Sequence, residues 1–370
     1  MTRGSREVVI HDGSAGLAAL RADWRALSAR VPGAAFYAQH DWYAAYLDHL
    51  EPAPDRVSFL ELRGEGQCRG VLPVRWPDRA RGPSGFSRLE LPRRTGMDLT
   101  APLLDQAERL ADWWPVIRDA LARRGLHGFV LHASGWLLTP GASTLDGAER
   151  WGIQRVQGHS CAFDCRLGHS ALQARYSSRL EKILRKAHKA LQQLGPLQVV
   201  TVMRGPAMSE AFDTFLRLEA SGWKGASGSA TALLFDDAPR RFLARLMLES
   251  GADFDPEVNL LMAGAQPLAT QLCLRRGACL SVLKIAYDDA LARYSPGSLL
   301  LDRVLARACD SGTQSVSLVT GQPWMTLWNP GSTPVADVWL FSHAPFAMLS
   351  RAWLGLRRLR DRVATEANAA

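Results

Sequence analysis

The chain has 370 residues, 47% of them apolar and 22% charged, with a net charge of +8 from 44 Lys and Arg against 36 Asp and Glu. That balance excludes a disordered or low-complexity protein, and no apolar run approaches the roughly 18 residues needed to cross a bilayer. The excess positive charge favours an anionic partner, whether a phosphate-bearing cofactor, an acidic polymer or a membrane face, without choosing among them.

The length suffices for two domains, or for one domain built from two similar halves. The start, MTRGSREVVIHDG, lacks the apolar stretch and cleavage site of a secretory signal, so a cytoplasmic location is expected. Residues 14–30 carry helical periodicity through Leu17, Leu20, Trp24 and Leu27, and a second helix is predicted over 40–50. Strands follow at 57–62 and 68–76. A Pro-, Gly- and Arg-rich loop over 77–105 holds one short strand near Leu89 to Leu91. Next come a helix over 106–124, a buried strand over 128–133 and, after a loop through Pro140, a strand over 159–165.

The six cysteines form no CxxC pair. His159, Cys161, Asp164, Cys165 and His169 lie close in sequence, but alternation puts Asp164 on the face opposite Cys161 and Cys165. No second pair at zinc-site spacing accompanies them, so no metal site is expected. Residues 170–194 read as one strong helix, with Tyr176, Leu180, Ile183, Leu184, Ala187, Leu191 and Leu194 along its apolar stripe. Arg175, Arg179, Lys182, Arg185, Lys186 and Lys189 occupy its other face, either as a solvated surface or as a contact for an anionic substrate or membrane.

Beyond it the pattern predicts a strand at 197–202 and helices at 209–221 and 238–250. Strands at 258–263, 267–275 and 279–287 follow, joined by Gly-containing turns of hairpin type. A helix opens at Ser295-Pro296-Gly297, with strands after it at 315–320 and 335–341, and an amphipathic basic helix covers 345–363. Strands arriving as hairpins suit an α+β architecture better than a Rossmann sheet. Both halves run helices, antiparallel strands, helix and strand, so a duplicated fold is inferred from element order alone.

The stretch from 279 to 300 organises the chemistry. Ser295 suits an N-cap, Pro296 the first helical position, and Gly297 a close approach to the backbone. Amides at such a helix start, here those of Gly297, Ser298 and Leu299, offer a site for a phosphate.

Three stretches, SSRLEKILRKAHKALQQLG (177–195), FLRLEASGWKG (215–225) and KIAYDDALARYSPGSLL (284–300), resemble the CelD/BcsL-type branch of the GNAT acyltransferases, which is related to the Fem-type aminoacyl transferases. FYAQHDWYAAYLDHL (36–50) is similar to the start of that family. The resemblance implies a tandem GNAT-like fold of two mixed, largely antiparallel sheets flanked by helices. It divides the chain into a degenerate half over 1–158, an acyltransferase half over 159–345 and a basic tail over 346–370. It further implies acyl transfer from acetyl-CoA or another acyl-CoA to a small or saccharide acceptor, in exopolysaccharide or cellulose production.

Against that pattern, the usual Q/R-x-x-G-x-G/A loop is absent, and the SPG turn stands in its place. Relatives also carry an Asp in the following strand and a Tyr-Lys pair before a Trp. Here Ser317, Gly321, Met325-Thr326 and Trp328 occupy those positions. The alternatives are therefore a non-catalytic accessory protein of a polysaccharide synthase, with membrane or synthase contact through the basic helices, or a Fem-like transferase using charged tRNA. No aromatic-interleaved RNA-binding module is visible, so no nucleic acid is expected.

The candidate side chains follow from the needs of acyl transfer: a held cofactor, a polarised carbonyl, a base and an acid. Ser295, Gly297, Ser298 and Leu299 would hold the CoA diphosphate. Amides of strand 279–287 would polarise the thioester if that strand splays from its neighbour. Glu219 is either a base raised by burial or an exposed helix acid. Asp288 is the other acid of the set. Lys284, in an apolar strand, either pairs with Glu219 or Asp288 or contacts a phosphate or carboxylate of the ligands, the CoA phosphates above all. Tyr287 or Tyr294 would protonate the thiolate, unless each is a packed ring. Trp223, Lys224 and Trp328 would line the acceptor pocket, with core packing the alternative for the two tryptophans.

Overall fold

The computed structural model describes residues 6–76, 88–90, 101–124, 128–131, 152–222, 224–226, 228–249, 251 and 253–341. Most of the 77–105 loop, Trp223 and the expected 345–363 helix lie outside the described residues. In chain order the elements are β1 (Arg6–Asp12), α1 (Gly13–Arg30), α2 (His40–His49), β2 (Val57–Gly64), β3 (Gln67–Arg75), β4 (Arg88–Glu90), β5 (Leu103–Leu104), α3 (Leu110–Arg123) and β6 (Gly128–Leu131). Then come β7 (Gly152–Asp164), α4 (His169–Gln173), α5 (Ser178–Leu191), β8 (Leu197–Val202), α6 (Ala207–Ala220), α7 (Asp237–Leu248), β9 (Asp255–Ala263), β10 (Gln266–Arg276), β11 (Cys279–Tyr287), α8 (Pro296–Asp310), β12 (Ser315–Ser317) and β13 (Gly331–Phe341). The chain divides into two compact units, one of residues 1–31, 53–157 and 334–370, the other of 32–52 and 158–333.

In the first unit the strand order is β1-β2-β3-β4-β6-β13, with β5 paired to β3. Every neighbour is antiparallel except β4 with β6. Leu60, Leu62, Leu72 and Leu104 pack on Trp113, Trp114, Ile117 and Leu121 of α3, which begins at Leu110 rather than near 106. Strand β1 was not anticipated, because its apolar run is only Val8-Val9-Ile10 and its existence depends on pairing with β2.

In the second unit the order is β7-β12-β11-β10-β9-β8, antiparallel except for β12 with β11. Alternation divides the sheet. Leu261, Ala269, Cys273, Leu280 and Val282 pack with Leu180 and Leu184 of α5 and Leu300 and Val304 of α8. The opposite face carries α6 and α7, which bury Phe212, Phe215, Phe242 and Leu246. Two mixed, largely antiparallel sheets flanked by helices are thus what the sequence led us to expect.

Two local expectations are corrected. Residues 170–194 do not form one helix: the chain breaks between α4 and α5, where the Ser177 hydroxyl accepts from the Leu180 N–H at 3.2 Å and starts a fresh helix. The Leu194 end of the expected stripe is exposed. The strand expected over 315–320 stops at Ser317, because the Thr320 N–H turns back to the Leu318 carbonyl at 2.6 Å around Val319, whose φ is 63°. A positive φ at a β-branched residue is strained, and a three-residue turn of this hand is rare.

Candidate active site

The site is built on β11. Along its whole length this strand pairs with β10, but it pairs with β12 only over Cys279, Leu280 and Ser281. Beyond β12 the chain leaves the strand's side: the Leu318 N–H donates to the Cys161 carbonyl at 2.8 Å and the Gly321 N–H to the His159 carbonyl at 2.6 Å. Among the described residues, the outer edge of β11 from Val282 to Tyr287 therefore has no strand neighbour. This is the splay required of the 279–287 strand.

A bulge lies in the same stretch. Lys284 opposes Leu272 while Val282 opposes Cys273, so Leu283 is an extra residue. The insertion reverses the alternation. Val282 faces α8 before it, Ile285 and Tyr287 face α8 after it, and Lys284 is turned toward α6. Lys284 and Gly297 therefore stand on opposite faces of the sheet, and the assignment of Lys284 to the cofactor phosphates is corrected.

On the α6 face the structure brings together Glu219, Lys224 and Lys284. Glu219 continues the stripe of Phe212, Phe215 and Leu216, so it is 8% exposed, not the exposed helix acid that sequence left open. Its Oε1 lies 3.0 Å from Lys224 Nζ, and its Oε2 accepts from the Leu233 N–H at 3.0 Å. The carboxylate thereby ties both ends of the α6–α7 loop. Gly225 in that loop has no room for a side chain, since a Cβ would stand 2.1 Å from the Ala220 carbonyl oxygen. Lys284 is half-buried and forms no ion pair among the described residues. Burial lowers its pKa, Glu219 works against that, and Lys224 lowers it further.

The α8 start differs from expectation. Ser295 is left-handed (φ 52°, ψ 50°), and its side chain does not cap the helix. The N–H groups of Ser298 and Leu299 both donate to the Ser295 carbonyl, at 3.1 and 3.3 Å. Of the three amides expected to hold phosphate, only that of Gly297 has no acceptor among the described residues. Gly297 does serve a close approach, but by this chain's own side chains: a Cβ there would meet Ile285 and the Tyr287 ring at 3.3 Å.

Other candidates settle into structural roles. The Asp288 carboxylate accepts from the Ala290 N–H at 3.1 Å, and the Arg293 guanidinium lies 4.6 Å from the Tyr294 ring centre. Trp328 is 1% exposed and packs edge-on against Phe163 and Tyr176, so it belongs to the core and does not wall a pocket. Tyr287 is exposed at the mouth of the splay. Sequence reasoning missed Thr270, fully buried across from Ala286 with its hydroxyl unpartnered among the described residues. Its signal was a lone hydroxyl in an apolar strand.

The second unit is thus an α+β sheet whose central strand is bulged and, among the described residues, loses its parallel neighbour just before a helix begins at its end. Residues 178–323 match the family described as acetyltransferase (GNAT) domain. Beyond that segment the chain is similar to FemX, with a TM-score of 0.58 at 10% identity over 88% of this chain and 97% of that one. It is also similar to the C-terminal domain of a putative lysylphosphatidylglycerol synthetase from Agrobacterium fabrum, with a TM-score of 0.51 at 11% identity over 90% and 94% of the two chains. L-PGS from Bacillus licheniformis gives a TM-score of 0.51 at 11% identity over 85% and 91%. At such identities the likeness shows the fold alone. No curated protein matches the chain. Among the described residues, no helix is long and apolar enough to cross a membrane.

Proposed function

We propose that the second unit transfers an acyl group from an acyl-CoA to an amine or hydroxyl, with a saccharide or amino sugar of exopolysaccharide or cellulose production as the acceptor. The observation that carries this reading is the open, bulged edge of β11 beside the Glu219–Lys224–Lys284 cluster. An unpaired strand edge presents backbone N–H groups to a thioester carbonyl, and fixed donors of this kind contribute about 3 kcal/mol to a developing oxyanion. The Gly297 amide and the positive end of α8 would favour the diphosphate, a weaker hold than three amides. Tyr287, exposed where strand and helix meet, is the better placed of the two tyrosines to protonate the thiolate.

Calorimetry with acetyl-CoA and longer acyl-CoAs at millimolar concentration tests the cofactor, and thiol release with amino-sugar acceptors tests turnover. Binding together with acceptor-dependent thiol release is expected. No heat with any acyl-CoA would end this reading.

A second reading, a contact between this chain and an anionic membrane or synthase surface, is favoured by α5. Arg179, Lys182, Lys186 and Lys189 form one exposed row about 15 Å long on that helix, and none meets a carboxylate among the described residues. Many arginines elsewhere are ion-paired, Arg109, Arg166 and Arg245 among them. Cosedimentation with anionic vesicles, lost in Lys182→Glu/Lys186→Glu, would support it. Equal sedimentation with neutral vesicles would refute it.

A further inference from the structure

We propose that the Lys284 amine is the base that takes the acceptor's proton. This rests on the acyl-transfer reading above and adds the identity of its base.

Glu219, the acid expected in that role, has both oxygens engaged, one with Lys224 and one with the Leu233 N–H. Protonating it would loosen the α6–α7 loop in the middle of turnover. Lys284 stands in the same cluster without an ion pair or hydrogen bond among the described residues. The charged groups it feels are Glu219 from α6 and Lys224 from the following loop. On β10 it faces uncharged groups, Leu272 directly and Thr270 diagonally. On the turn after β11, Asp288 is committed to the Ala290 N–H, and Asp289 packs at Gly222. Burial, the largest influence, outweighs Glu219 and, with Lys224, shifts the balance toward the neutral amine, which has the lone pair a base requires.

Position supports the role. Lys284 follows the bulged residue directly, at the start of the open edge where a thioester carbonyl would be held. In the step proposed, the acceptor nitrogen or oxygen bonds to the thioester carbon and its proton passes to Lys284 Nζ. Collapse of the adduct then breaks the C–S bond, and CoA leaves as the thiolate with the electron pair. The ammonium afterwards returns its proton to solvent.

The test has a readout independent of turnover. Trace labelling of the full chain with acetic anhydride across roughly pH 6 to 11, read by mass spectrometry, follows the titration of individual lysines. Lys284 should titrate below Lys182, Lys186 and Lys189 of the same sample. Glu219→Gln should lower its midpoint further, and Lys224→Met should raise it. Lys284→Arg, which cannot act as a base at these pH values, should lose about 10²- to 10⁴-fold in kcat while keeping its acyl-CoA affinity. Lys284→Met gives a second variant without a base, should the guanidinium fail to fit. If Lys284 titrates with the surface lysines, or if both variants keep kcat within about threefold of the parent, the proposal is overturned. Loss of acyl-CoA binding by the parent chain would instead defeat the reading on which it rests.

Discussion

His169 Nε2 lies 3.0 Å from Asp302 Oδ1, and the Tyr176 hydroxyl donates to the same oxygen at 3.3 Å. One buried carboxylate on α8 thus ties down α4 and the break before α5, and burial together with the Asp302 charge pushes the Tyr176 phenol up. Asp302→Ala should cost about 2 kcal/mol, since it strands the buried Tyr176 hydroxyl and takes the partner from the part-exposed His169 ring, and Tyr176→Phe about 1 kcal/mol. Urea unfolding measures both. A cost for Asp302→Ala no larger than that for Tyr176→Phe would show the anchor to be unimportant.

Glu257 on β9 sits between Arg275, at 2.9 Å, and Arg307. Burial raises its pKa, but Arg307, Asn259 and Arg275 outweigh that and hold the carboxyl below its ordinary 4.5. A depressed carboxylate contributes stability that is complete above the unfolded value and is lost as pH falls through the folded one. The urea midpoint should therefore hold above about pH 5 and fall below it, and Glu257→Gln should flatten that acid limb. The same variant should cost about 3 kcal/mol at neutral pH by leaving two arginines without their partner.

Trp328→Ala should cost about 3–5 kcal/mol, as befits a fully packed indole, and Trp328→Phe less. Acyl-CoA affinity per folded molecule should be unchanged in Trp328→Phe, as calorimetry would show. A Kd raised tenfold with little loss of stability would return this ring to the pocket wall.

Val319→Gly should stabilise the protein by about 0.5–1 kcal/mol, since relief of a left-handed β-branched residue exceeds the added chain entropy. Val319→Ala keeps the backbone restriction and is the control. A thermal melt in which the glycine variant unfolds first would contradict the turn geometry.

Much of this was legible in advance. The hairpin strands and the amphipathic helices of the second unit follow from periodicity, and Glu219 could have been placed indoors from its spacing to Phe212, Phe215 and Leu216. The side on which Lys284 emerges could not, because the Leu283 bulge is set by what β10 presents across the ladder. Strict alternation puts the lysine with Val282, facing the wrong helix. The SPG turn misled for a related reason: Ser-Pro-Gly fits a capped start, but the preceding turn over Asp289–Tyr294 delivers Ser295 in a left-handed conformation. Its carbonyl then absorbs two of the amides counted on for phosphate. Strand β1 illustrates the limit of local pattern, since three apolar residues become a strand only beside a partner.

The flank of β11 that lacks a strand neighbour among the described residues has a cost. A ladder missing one rail can be completed by any extended backbone, including that of another molecule, so on the acyl-transfer reading the chain without its carrier should self-associate more readily. A pantetheine arm seated there would act as the missing rail, and keeping the carrier in the buffer should slow precipitation on storage, while the adenine-nucleotide half alone should not.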